Sequence, residues 1–146
     1  MISSPREAAS NCSRLSVMGD ANMDWVWKQT TGEMFRRGSP VTSPFATGYA
    51  GYGALKNDPA SQCVSDLGPI PRGWYTILPE TDDPAPVTLP LEPDPANDMC
   101  GRTGFLIHAD NVVRPGTASQ GCIVIGNRAK REAIRDSGSD RLEVIE

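Results

Sequence analysis

Histidine occurs once in this chain of 146 residues, at position 108. A Cys/His zinc cluster needs several ligands at short spacing, and the four cysteines, Cys12, Cys63, Cys100 and Cys122, form no C-x-x-C pair. Neither a structural metal nor a cofactor is therefore expected. No stretch approaches the ~20 apolar residues of a membrane span. A basic stripe is also missing, and the net charge is −4, which argues against nucleic acid and against an anionic membrane surface as partners. There are no internal repeats and no coiled-coil heptads.

Glycine and proline are abundant instead, at 14 and 13 residues. They interrupt long helices and favour a loop-rich, strand-based architecture. The length suits one domain with a real core. Residues 1–22 read as a disordered leader or as sequence upstream of the true start, with Met18 and Met23 as plausible initiators. They lack the basic start and apolar run of a secretory signal. The folded domain is expected over 23–146 as a mostly-β unit with one or two short helices.

Residues 24–35 alternate around a Thr-Gly step and predict a β-hairpin. FATGYAGYG (45–53) predicts a loop or a bulged strand. WYTIL (74–78), VTLPL (87–91), FLIH (105–108), CIVI (122–125) and LEVI (142–145) predict strands. The stretch 127–138 predicts a helix that starts at Asn127 and stops at Gly138. Cys63 and Cys100 both lie in polar, turn-rich segments. They can pair by disulfide in an oxidising compartment, which would leave Cys122 as the free thiol.

Chemistry concentrates in FLIHADNVVRPGTASQGCIVI. His108 ends one predicted strand and Cys122 begins the next, with thirteen residues (109 to 121) between them. Adjacent strands joined by such a loop can bring imidazole and sulfur together. A nearby imidazolium lowers a thiol's pKa and supplies a proton shuttle, making Cys122 a thiolate nucleophile with His108 as its base. Gly121 permits an unusual backbone angle, and the amides around Gly121 and Cys122 can form an oxyanion hole. On general chemistry alone, a small core cysteine and a hydrogen-bonded structural histidine are the competing reading.

The H-x-D element at His108 and the Ser119-Gln120-Gly121-Cys122 run resemble the active-site signature of L,D-transpeptidases. A second histidine of that signature is replaced here by Gln120, and the polar residue after the cysteine by Ile123 and Val124. From Trp25 to Val144 the chain resembles the small L,D-transpeptidase-like effectors of the type VI secretion system. The resemblance is carried by the W-x-W…TG hairpin, GYAGYG, Lys56-Asn57, GPIPRGWY (68–75), Gly101-Arg102, FLIHAD, and ASQGCIVI followed by Arg128.

This resemblance implies an L,D-transpeptidase-like β-sandwich and an antibacterial toxin that acts on peptidoglycan in the target-cell periplasm. It implies cleavage of the bond between a diamino acid and the terminal D-Ala of tetrapeptide stems, or exchange of that D-Ala. It also implies a cognate immunity protein and type VI delivery components as partners, and synthesis in the producer cytoplasm without a secretory signal.

Around the pair, Asp110 can orient the imidazole, bind a substrate ammonium, or simply open a loop. Ser119 can fix the histidine or shape the turn. Arg102, Arg114 and Arg128 suit substrate carboxylates, or are solvated charges. Tyr49, Tyr52 and Lys56 line a cleft, or pack and face solvent. Two other functions stand beside the toxin: a housekeeping L,D-transpeptidase that builds cross-links, and a non-catalytic binding domain in which Cys122 is structural.

Overall fold

The structure, a computed structural model, describes residues 24–38 and 43–146. The leader expected over 1–22, with Cys12, Met18 and Met23, lies outside the described residues.

Two tryptophans start the core. Strand β1 (Trp25–Lys28) pairs antiparallel with β2 (Glu33–Arg36), Lys28 opposite Glu33, and Gly32 closes the turn at φ +69°. This is the hairpin that the Thr-Gly step predicts. Strands β3 (Ala46–Thr47) and β4 (Tyr49–Ala50) follow, separated by Gly48. Short 3₁₀ turns at Gly53–Leu55 and Pro59–Ser61 come next, then β5 (Gly73–Ile77), β6 (Leu89–Pro93), β7 (Leu106–His108) and β8 (Ile123–Val124). Helix α1 (Arg128–Arg135) precedes the last strand, β9 (Arg141–Ile145). The side chain of Asn127 accepts from the Lys130 amide and caps α1 as the sequence predicts.

The nine strands form one sheet in the order β3-β2-β1-β9-β5-β6-β7-β8-β4. Its two outermost strands, β3 and β4, are consecutive in the chain. The sheet is therefore curled into a nearly closed barrel with Gly48 at the seam. The layers expected of a sandwich are two stretches of this sheet, with β6 bonded to both β5 and β7. A Cβ on Gly48 would run into the carbonyl oxygen of Val124, so only glycine lets the chain cross there.

Alternation sets the inner face. Leu142 and Val144 of β9, Tyr75 and Ile77 of β5, and Leu89 and Leu91 of β6 are buried beside Trp25, Trp27, Ile107 and Ile123. Two pairings are parallel, β1 with β9 and β7 with β8. A parallel pair needs a connection of about a dozen residues or more. The loop from 109 to 121 meets that minimum and returns the chain so that Cys122, the residue before β8, follows beside the strand that ends at His108.

A disulfide joins Cys63 to Cys100, closing a separation of 37 residues with Cα atoms 5.3 Å apart. Cys122 is the free cysteine among the described residues.

Candidate active site

Strand register places the two candidate side chains. Ile107 pairs with Ile123 and His108 with Val124, so the ladder continues to set Cys122 beside Leu106. Side chains alternate along a strand. His108 therefore sits on the same face as Cys122, one two-residue step further along. In a long parallel pair, the end of one strand and the start of the next would lie far apart. Here β7 has three residues and β8 two, which keeps the offset to that single step.

His108 is buried, with 7% of its surface exposed. Its Nδ1 lies 2.7 Å from the carbonyl oxygen of Ala109. A carbonyl only accepts, so Nδ1 carries the proton and the neutral ring keeps its free lone pair on Nε2. Burial pushes the imidazole pKa below its usual value, helped by the charge of Arg131, and the Ala109 bond and Asp110 oppose the shift. The resting ring is neutral and ready to accept.

Burial likewise pushes the Cys122 thiol above its usual pKa. The Leu106 amide, the charge of Arg102 and the residue's own amide pull it back. The net shift is upward, so burial favours the thiol over a resting thiolate, beside an imidazole whose neutral form is favoured. The sulfur lies 3.8 Å from the Gly104 carbonyl oxygen, to which the S–H points as a weak donor.

Cys122 opens onto a cavity of about 360 Å³, with Ser65, Asp66, Thr103, Gly104 and Phe105 in its lining. Arg102 holds these walls together. Its guanidinium donates to the carbonyls of Gln62 (2.6 Å), Pro69 (2.9 Å), Gly68 (3.0 Å) and Gln120 (2.9 Å). It also stacks over Phe105, 5.1 Å from the ring centroid. Spending its donors this way removes Arg102 from the expected carboxylate-binding role. It ties the residue before Gly121 to the 62–69 segment and places a positive charge near the sulfur. The Cys63–Cys100 disulfide joins the same two walls.

Gly121 takes φ +140°, and a Cβ there would collide with the Arg102 guanidinium and the Phe105 ring. Its amide donates to Ser119 Oγ at 2.9 Å, so it is not free for the expected oxyanion hole. Ser119 Oγ also accepts from the Gly51 amide at 2.9 Å and donates to the Cys122 carbonyl at 2.6 Å. Of its two readings, Ser119 takes the structural one: it shapes the turn around the cysteine. The partner of His108 is the next residue's carbonyl instead.

Three predicted residues meet under the crossover loop. Tyr49 donates to Asp110 Oδ1 at 2.6 Å and accepts from the Ala118 amide at 2.9 Å. Asp110 also receives the Asn111 amide at 2.7 Å and the Gly116 amide at 3.1 Å. Lys56 Nζ sits 4.5 Å from the Tyr49 ring centroid. Burial and the Asp110 carboxylate push the Tyr49 hydroxyl up to about 12. The cluster clamps the loop that leads to Cys122, and it consumes the Asp110 acceptors a ligand would need.

Tyr52 is 44% exposed, and its amide bonds to the Leu67 carbonyl. Arg128 is exposed and pairs with Glu132 one helical turn on. Neither lines the cavity at Cys122. The arginine that α1 buries is Arg131, which donates to the carbonyls of Val87, Ile125 and Gly126. Sequence reasoning missed Asp66, Thr103, Ala109 and Arg131. Only the Cys63–Cys100 pairing, had it been fixed, signals that Ser65-Asp66 approaches Gly101-Arg102. Among the described residues no group of three or more His, Cys, Asp or Glu is placed to hold a metal ion.

Fold and site together define a small β-rich domain in which a buried histidine ends one strand and a cysteine, free among the described residues, precedes the parallel strand beside it. The chain belongs to the Tlde1 domain family, whose model matches residues 45–145. That family is one of type VI secretion effectors of the L,D-transpeptidase kind, which makes this chain an antibacterial effector. No curated protein and no solved structure matches the chain.

Proposed function

We propose that the domain, residues 23–146, is a cysteine L,D-carboxypeptidase and L,D-transpeptidase acting on peptidoglycan tetrapeptide stems in the target-cell periplasm. One observation carries this reading. The free thiol of Cys122 opens on a cavity one strand step from an imidazole whose Nδ1–H is fixed on Ala109, leaving Nε2 as the base.

In this reaction Cys122 Sγ attacks the carbonyl of the third stem residue. The thiol proton passes to His108 Nε2 as the bond forms, since both groups rest neutral. Collapse of the tetrahedral adduct breaks the C–N bond to D-Ala, and the imidazolium returns its proton to the leaving amine. Water then resolves the thioester, giving a tripeptide. A D-amino acid doing so gives the exchanged stem. Arg102, Ser119 and Gly121 act through position, by fixing the backbone that presents the sulfur. Loss of tetrapeptide donors would deprive the target wall of cross-links, and a producer needs an immunity protein against such an enzyme.

The test is digestion of purified peptidoglycan, with products identified by mass. The wild type is expected to release D-Ala from tetrapeptides and to exchange it when a D-amino acid is added. The Cys122→Ala variant is expected to do neither. Unchanged toxicity of that variant in the periplasm would sink the enzyme reading, and new cross-links in place of tetrapeptide loss would favour a wall-building enzyme.

A further inference from the structure

We propose that Asp66, in the cavity beside Cys122, is the residue that holds the distal ammonium of the diamino acid at the third stem position. This rests on the acyl-transfer reading above and adds the group that sets its substrate.

Asp66 is the carboxylate in the lining of the Cys122 cavity. It is exposed, and among the described residues its carboxylate has no hydrogen-bond partner. Arg102 is close enough to act on it, but its terminal nitrogens are already bonded to four carbonyls. The contrast with Asp110 decides between the two candidate acids. Asp110 is taken by Tyr49 and by two loop amides.

The backbone around Asp66 is built to hold it there. Asp66 adopts φ +66°, a left-handed conformation that aspartate, like asparagine and glycine, takes more readily than other residues. Here Cys63 is bonded to Cys100 on one side, and the Gly68 and Pro69 carbonyls are gripped by Arg102 on the other. In the same lining, the Thr103 hydroxyl also lacks a hydrogen-bond partner among the described residues. A free carboxylate and a free hydroxyl in one lining complement a head that carries both an ammonium and a carboxylate, as the distal end of a diamino acid does.

The experiment uses two tetrapeptides that differ only at the third residue, one with its distal amine free and one with that amine acetylated. For the wild type, acetylation is expected to raise KM about tenfold with little change in kcat, the loss of one charge-assisted hydrogen bond. Asp66→Asn is expected to raise KM for the free-amine peptide by a similar factor and to lose discrimination between the peptides. Asn tolerates the left-handed backbone, and Asp66→Gly, for which that backbone is unstrained, should behave alike. Turnover of both peptides without discrimination by the wild type overturns the role of Asp66 alone. So does discrimination that survives in both variants. No turnover of either peptide by the wild type overturns it together with the acyl-transfer reading.

Discussion

At Cys122, burial and hydrogen bonding act on the thiol in opposite directions, and burial wins. Alkylation by iodoacetamide, which consumes thiolate, should therefore rise with an apparent pKa above that of free cysteine. A rate already on its plateau at neutral pH would show a resting thiolate and contradict the neutral pair. His108 makes a matching case in stability. Its folded pKa is lowered, so between the folded value and the ordinary ~6.5 the unfolded chain binds more protons. Stability is then expected to fall as pH drops below about 6.5, until the folded value is passed. His108→Gln should flatten that part of a melting-temperature profile. In activity, the acid limb of kcat/KM should lie below the ordinary imidazole range, because only the neutral ring accepts the thiol proton.

At the scale of elements, the site depends on two very short strands in parallel register and on the turn that starts the second. Gly121 is where that turn is most constrained: its left-handed φ and the approach of Arg102 and Phe105 leave no room for a side chain. Gly121→Ala is expected to cost about 1–3 kcal/mol in a denaturation midpoint from backbone strain alone. The larger effect should be on catalysis. Displacing Arg102 releases the Gln120 carbonyl and shifts the sulfur, and misplacement by about 1 Å costs on the order of a hundredfold in rate. A variant that unfolds earlier but turns over normally would show that the turn does not position the nucleophile.

For the whole molecule, the disulfide is the covalent cross-link among the described residues that reaches the site. Closing a loop of 37 residues restricts the unfolded chain by about 4 kcal/mol in the loop-entropy picture. Reduction should lower the melting temperature accordingly. It should also slow turnover, because the bond joins the two cavity walls that Arg102 bridges. The Cys63→Ser/Cys100→Ser double variant, compared with and without reductant, separates this from any effect of reductant on Cys122. Equal activity in the oxidised, reduced and double-variant forms would limit the bond to stability.

The local elements could be read from the residues alone. Residues that alternate, cap or turn act through neighbours a few positions away, so the Thr-Gly hairpin, the strands around Tyr75, Ile107 and Val144, and the Asn127 cap were all legible. That the strands flanking this loop lie side by side was legible too, because one connection joins His108 to Cys122. Tertiary structure decided what depends on distant backbone. Whether an arginine meets solvent or four carbonyls, as at Arg102, depends on the 62–69 segment folding beside it. Whether Asp110 or Asp66 keeps a free carboxylate depends on which loop amides reach it. Whether Cys122 rests as a thiol depends on how deeply the barrel buries it. Gly48, one glycine among many in the sequence, became the seam only once the sheet's two edges met.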